Sequence, residues 1–362
     1  MGPLSQISAL DYSIQLTATD TLSLDDWIPN STVGAKAGGK GHGGIRSSTD
    51  IMSERLNCVV LGGSGFLGQA LCRKLVFAGC RVRSISRSGR PLGDSQPWYS
   101  DVEWIAAPIS SDFAIDSLSG TNVVYHLASS TLPSTSNLDM RFDLESNTLA
   151  TLRVLEAAVR EQVERVVFVS SGGTVYGIPQ HNPIQESHPT NPICSYGIHK
   201  LAIEKYLHLF HHLHGLKSIV LRVSNIYGEE QDCSKPLGAV AHFTSRVLHH
   251  EPIEIWGDGT IIRDYVHVDD VANALLTSAT YTGPESLFNI GSGCGTSLAG
   301  LVELLREHSG LPVRVVYKPG RAFDVAENVL DISLALQELN WRPAVSLSLG
   351  LQRMLEREFS KR

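Results

Sequence analysis

The chain has 362 residues, 42% hydrophobic and 19% charged, enough to bury the core of one large domain or two moderate ones. A formal net charge of −7 gives no reason to expect a nucleic-acid partner or an anionic membrane surface. No apolar run reaches the ~18 residues of a membrane-spanning helix. Six cysteines without a C-x-x-C pair speak against zinc ribbons and disulfide frameworks, and for buried free thiols in a reducing, cytoplasmic setting.

Residues 1–54 read as a disordered leader, with Met52 a candidate functional start. They carry the Gly-rich run "VGAKAGGKGHGG", lack the basic-then-apolar order of a secretory signal, and include Asp11, Asp20, Asp25 and Asp26, which a transit peptide avoids. From Leu56 the pattern becomes regular. "LNCVVLG" predicts a buried strand and "FLGQALCRKLVFAG" an amphipathic helix ending at Gly79. Strands follow at "RVRSIS", "DVEWIA" and "NVVYHLA", then a helix at "ESNTLATLRVLEAAVRE", a strand at "RVVFVSS", a helix around "YGIHKLAIEKYLHLFHH" and a strand at "KSIVLRVSN". Such alternation predicts an α/β fold with a doubly wound parallel sheet covered on both faces. After Tyr227 shorter pieces ("PIEIW", "DYVHVDDVANALLTSA", "SLFNIG", "SLAGLVELLREHSG", "PVRVVY") predict a smaller α/β lobe. The expected division is a dinucleotide-binding Rossmann domain over 55–226 and a mainly substrate-binding lobe over 227–362, with some segments returning to the first.

Between the first strand and helix, "GGSGFLG" places Gly62, Gly63, Gly65 and Gly68 at the spacing of a pyrophosphate-binding turn, followed by Phe66 and Leu67. Glycines there allow a tight turn and close approach of backbone to the phosphate, which meets the helix N-terminus. The second strand ends not in the acid that receives the NAD ribose but in Ser86 and Arg87, which lean toward the 2′-phosphate of NADP. The cofactor expectation is therefore NAD(P). "SYGIHK" holds Tyr196 and Lys200 one helical turn apart, and this is the one tyrosine of ten with lysine at the fourth following position. A neighbouring ammonium is expected to lower the phenol's pKa and suit it to acid/base work.

These motifs, with "VVYHLAS", "VSSGGTVYG", "LRVSNIYGEEQ", "WGDGTIIRDYVHVDDVANA" and "FNIGSG", resemble the extended short-chain dehydrogenase/reductase family in its nucleotide-sugar epimerase/dehydratase branch, with most likeness to UDP-glucose 4-epimerases. The resemblance implies NAD as cofactor, with His126, Leu127, Ala128, Asn147 and Ser170 against it. It implies Tyr196 as acid/base at the sugar C4 hydroxyl and Lys200 on the nicotinamide ribose. Asn225, Arg263, Arg321 and Asp324 would hold the nucleotide diphosphate and ribose of the sugar substrate. A homodimer through two long helices is typical of the family.

Dehydratases of this kind place an Asp-Glu pair just before V-Y-G, and decarboxylating relatives a glutamate; here stand Gly172, Gly173 and Thr174. That disfavours dehydration and decarboxylation and leaves reversible oxidation at C4. The hydroxyl usual in epimerases falls on Gly172, so Ser171 becomes the candidate to bond the C4 oxygen, with Thr174 next in line. Asn328 falls where epimerases limit room beside the sugar C2 group. His211, His212 and His214 fit a helix end better than a metal site, Cys194 a packed thiol, and His267 a packing role. The expected activity is nucleotide-sugar 4-epimerisation; an NADPH-dependent 4-ketoreductase and a non-catalytic cofactor-binding sensor are the alternatives.

Overall fold

The apolar runs fold as strands: β1 (Asn57–Leu61), β2 (Arg81–Ser86), β3 (Val102–Ala106), β4 (Val123–His126), β5 (Arg165–Ser171) and β6 (Lys217–Val223). All pair in parallel, in spatial order 3-2-1-4-5-6. The computed structural model describes residues 55–91, 96–231, 238–321 and 324–361, which fall within one compact unit. The expected leader and Cys233 lie outside them. Successive residues of a strand face opposite ways, so Val60 joins Leu71, Val167 and Leu221 on one face of the sheet while Val59 joins Val154, Phe168 and Leu207 on the other.

Not every piece after Tyr227 belongs to the smaller lobe. "SLFNIG" becomes the strand Leu287–Ile290, which extends the large sheet on the β6 edge. "DYVHVDDVANALLTSA" splits into the strand Ile262–His267 and the helix Val268–Ser278; Val268 and Ala272 of that helix pack with Ala70 of the Phe66–Phe77 helix. The helix expected over "ESNTLATLRVLEAAVRE" opens with a π-helical stretch, Leu144–Leu149, before Ala150–Arg160 continues as α-helix. Wide turns of this kind recur at functional sites, and this one carries Asn147.

The smaller lobe centres on Ile262–His267, which pairs with the short strands Asn225–Tyr227, Gly295–Ser297 and Glu327–Asn328. Beside it the predicted strands Ile253–Trp256 and Val315–Lys318 pair in parallel. One buried carboxylate fastens this lobe to the large sheet. Asp264 accepts from Ser224 Oγ (3.2 Å) after β6, from Ser292 N and Oγ (2.7 Å each) and Gly293 N (3.3 Å) after Leu287–Ile290, and from Leu330 N (3.3 Å). A Cβ on Gly291 would fall 2.3 Å from Asp264 Oδ2, so glycine is needed there for the carboxylate to fit. Asp264→Asn keeps the shape but turns an amide N–H₂ toward groups that are themselves donors. We expect it to lower the unfolding free energy by about 3 kcal/mol, read from denaturant midpoints; an unchanged midpoint would refute this role.

Candidate functional site

The order of strands reverses between β1 and β4, and ligands of doubly wound sheets bind outside the carboxyl ends of the strands at that switch. The glycine turn sits there. Gly62 takes φ +92° and donates to Ile85 O at 2.8 Å, while Gly65 N–H donates to Gly62 O at 3.1 Å. A Cβ on Gly68 would lie 2.2 Å from Gly62 O, and one on Gly62 3.0 Å from Ala128 N. The spacing is therefore steric, and the result is a cradle of backbone N–H groups at a helix N-terminus, suited to a pyrophosphate. Phe66 and Leu67 begin the helix with their side chains packed inward.

A groove of about 420 Å³ runs from this turn past Ser86, Arg87, Leu127, Ala128 and Asn147. Asn147 accepts from Ser130 N at 2.9 Å and so braces the loop after β4. Two expected cofactor residues point elsewhere. His126 is 2% exposed and bonds Thr151 Oγ1 at 2.8 Å. Because Thr151 donates its own hydroxyl to Asn147 O, the histidine is the donor, through Nε2. Ser170 donates to Glu204, which is paired with Arg222 (2.7 and 3.1 Å) in the core. A larger concavity, about 840 Å³, lies at the opposite ends of β1 to β3 around Asn57, Arg81 and Val102, far from the chemistry of a switch point.

Tyr196 and Lys200 come from the first turns of the Ser195–His214 helix. Lys200 Nζ donates to Val169 O at 2.8 Å and lies 5.6 Å from the centroid of the Tyr196 ring. The expected lowering of the Tyr196 pKa is not found. Burial, with Cys194 and Asp143 nearby, pushes it up to about 12, and burial brings Lys200 down to about 8 despite Glu204 and Asp143. Tyr196 thus rests as a phenol, a proton donor at neutral pH.

The turn after β5 abuts this helix: a Cβ on Gly197 would meet Thr174 O at 2.9 Å. Gly172 and Gly173 differ in kind. A Cβ on Gly172 would strike Leu330 Cδ1 at 2.6 Å, whereas one on Gly173 finds only Ser171 Oγ at 3.9 Å. No carboxylate projects from the turn. Thr174 Oγ1 is buried without a partner, and Ser171 is half-buried at the strand end. Asn328, expected beside the sugar, is 2% exposed and donates to Gly172 O at 3.2 Å, behind the turn.

Sequence reading missed the group that sets the tyrosine's frame. Asp143, fully buried, accepts from Thr131 and Ser195, from Asn147 Nδ2 (3.0 Å) and from His199 Nδ1 (3.0 Å). Burial raises its pKa, but the donors from Ser195, Thr131 and His199 outweigh that and hold it below the usual carboxylate range. His199 in turn sets its ring edge-on to Tyr196, with centroids 5.1 Å apart. Tyr196 N donates to Ser136 Oγ at 3.0 Å. No local sequence pattern joins residues so far apart in the chain.

In the smaller lobe a cavity of about 330 Å³ is lined by Asn225, Trp256, Arg263, Arg321 and Asp324. Arg263 donates to Ile262 O (2.8 Å) and Val325 O (2.7 Å). Arg321 pairs with Asp324 at 3.0 and 3.2 Å and lies over Trp256, 5.4 Å from the ring centroid. Asn225 Nδ2 donates to Asp264 O at 2.9 Å. Two guanidiniums and an indole, with the carboxylates of Asp324 and Glu254 on the same lining, suit a nucleoside diphosphate.

Other expectations fall as follows. His211, His212 and His214 occupy the last turn of their helix, and no group of three metal-ligating side chains occurs among the described residues. His267 caps a helix through Asp269 N and pairs with Glu229. Cys58 and Cys72 are buried thiols, but Cys294 is exposed, correcting the expectation of uniformly buried cysteines.

Two histidines make the fold acid-sensitive. Burial, then Lys200, lowers His126 to about 3 and His199 to about 4, against 6.5 in an open chain. Between pH 6.5 and 4 the unfolded chain therefore holds more protons, and stability falls as pH falls. By pH 5 the loss should reach about 2 kcal/mol per histidine. Urea midpoints at pH 7 and pH 5 should differ less in His126→Gln and in His199→Gln than in the parent; equal differences would refute the assignment.

Residues 58–291 match the model of the NAD dependent epimerase/dehydratase family. The UDP-glucose 4-epimerase of Mycolicibacterium smegmatis is 33% identical over 306 residues, covering 83% of this chain and 98% of that protein. A dTDP-4-dehydro-6-deoxyglucose reductase of Escherichia coli is 32% identical over 314 residues, covering 84% and 98%. The crystal structure of the Thermotoga maritima UDP-glucose 4-epimerase with UDP-glucose superposes with TM-score 0.79 at 35% identity, covering 84% of this chain and 99% of that one. Fold, ordered motifs and these matches agree: the chain belongs to the NAD-dependent epimerase/dehydratase family of extended short-chain dehydrogenases/reductases.

Proposed function

We propose that the protein is a nucleotide-sugar 4-epimerase of the UDP-glucose/UDP-galactose type. The observation that carries this reading is the Tyr196–Lys200 pair beside a hydroxyl turn that offers no carboxylate. NAD(P), when bound, supplies a hydride acceptor and donor and, in its oxidised form, a positive charge that favours tyrosinate. The protein's part is to hold and move a proton. Tyr196 Oη, a phenol at rest, would act as base only once ionised beside that positive charge: it then takes the proton of the C4 hydroxyl as that carbon is oxidised and returns it after the keto sugar has presented its other face. Lys200, kept near Tyr196 by Val169 O, favours the tyrosinate while it persists. Ser171 steadies the C4 oxygen. Arg263, Arg321 and Asn225 hold the nucleotide diphosphate, and Asp324 accepts from the nucleotide ribose, while the sugar turns. The solved Thermotoga maritima relative holds UDP-glucose and the Thermus thermophilus UDP-glucose 4-epimerase, 29% identical, holds NAD; both support the reading.

A second reading, a 4-ketoreductase, has the Escherichia coli reductase in its favour. We also propose a homodimer, since Leu138, Met140, Leu144 and Leu149 and, on the neighbouring helix, Ile198, Leu209 and Leu213 leave large apolar side chains exposed. Light scattering at twice the chain mass is the expected result. We take the site of action to be the cytoplasm; among the described residues no helix is long and apolar enough to cross a membrane.

Incubation with UDP-glucose, UDP-galactose and their N-acetyl forms should give C4 epimers without net cofactor loss. Stoichiometric NADPH oxidation with a 4-keto nucleotide sugar would replace epimerase by reductase. Ser171→Ala should slow turnover ~10²-fold with cofactor binding unchanged; near-parental turnover would move that role to Thr174.

A further inference from the structure

We propose that the adenosine end of the groove accepts a ribose 2′-phosphate, so that the protein binds NADP(H) at least as tightly as NAD(H), with Arg87 as the residue that meets the phosphate. The inference rests on the cofactor reading above and concerns which dinucleotide fills that groove.

A ribose diol is retained by a carboxylate that accepts from its hydroxyls, and the same carboxylate repels a phosphate dianion. At the end of β2 the groove has no such group. Ser86 stands there, 8% exposed, and its hydroxyl donates to Gly89 O at 3.1 Å. Ser64 Oγ donates to Ser86 Oγ at 2.7 Å and lies 2.9 Å from Ser88 Oγ, so three hydroxyls form a neutral chain where an acid would stand. Elsewhere around the groove the described lining comprises Ala107 to Ser110, Leu127 to Ser130, Phe142, Ser146 and Asn147, again without a carboxylate. Just beyond the rim, Asp112 is already paired with Arg153 at 2.5 Å, and Arg153 also donates to Ser110 O.

The one charged side chain lining the groove among the described residues is Arg87. It is exposed and makes no ion pair, hydrogen bond or ring contact with the described residues. A guanidinium with no partner among the described residues, beside hydroxyl groups and with no opposing carboxylate among them, is a phosphate site by charge and by geometry. Asp or Glu at position 86 would reverse both properties.

The test is direct binding, independent of turnover. Purified full-length protein is titrated with NADPH and with NADH, following nicotinamide fluorescence, and bound NADPH is competed with 2′,5′-ADP and with 5′-ADP. The expected result is a dissociation constant for NADPH equal to or below that for NADH, and stronger competition by 2′,5′-ADP. Arg87→Ala, a surface change that leaves the fold alone, should weaken NADPH by about tenfold or more and NADH by less than about twofold. Ser86→Asp should reverse the preference. NADH binding with NADPH at least tenfold weaker would overturn the proposal and leave the dinucleotide reading intact, as would equal weakening of both by Arg87→Ala. Binding of neither would overturn both.

Discussion

Asp264 is the constraint on which the arrangement of the site depends. Its carboxylate gathers donors from the end of β6, from the turn after Leu287–Ile290 and from Leu330. Each of those segments borders the site: Leu330 packs against Gly172, and Asn225, one residue past Ser224, lines the cavity that also holds Arg263 and Arg321. A buried acceptor with five donors tolerates little displacement, because every loosened N–H or O–H would be left unpaired away from water. The large sheet that carries the groove at the switch point and the lobe that carries the arginines are thereby held in register across the candidate site.

Beneath the site lies a second layer of polar contacts. Ser170, Glu204 and Arg222 form a buried chain, Arg222 stacks on Tyr176 at 4.8 Å, and Tyr176 donates to Asn289 at 2.7 Å. Above it Asp143 ties the first turn of the tyrosine's helix to the loop after β4 and to Asn147. Both carboxylates are satisfied several times over, which is the condition for a buried charge to stiffen a structure and not loosen it. Tyr196 and Lys200 stand between these layers. Their ionisation is set more by loss of water than by each other, and the pair read as mutually tuning from its spacing proves instead to share a dry environment.

Much of this was legible in the sequence because it is local. Strand and helix periodicity, the glycine spacing from Gly62 to Gly68 and the one-turn interval from Tyr196 to Lys200 are all written within a dozen residues. What could not be read depends on contacts distant in the chain. Leu287–Ile290 looks like any short strand until its pairing with β6 draws it into the large sheet. His126 and Ser170 lie in motifs that border a cofactor, yet the direction of a side chain at a strand end is decided by Thr151 and Glu204, which arrive on helices. Asp143 carries no signature, since a lone aspartate in "MRFDLE" is indistinguishable from a solvated one until four donors surround it.

The contact between Gly172 and Leu330 bears on how freely the candidate site can change its chemistry over evolutionary time. Any side chain introduced at 172 meets the leucine's Cδ1 at 2.6 Å, so an acidic or hydroxyl group gained there requires Leu330 to move. Leu330 is fully buried in the small apolar cluster with Val175, Tyr176 and Ile184, where a displaced or shortened side chain loses packing. Position 173 carries no such barrier. Drift toward other reactions on nucleotide sugars is therefore channelled through one residue of the turn and obstructed at its neighbour, an asymmetry imposed by packing and invisible in the spelling of two identical letters.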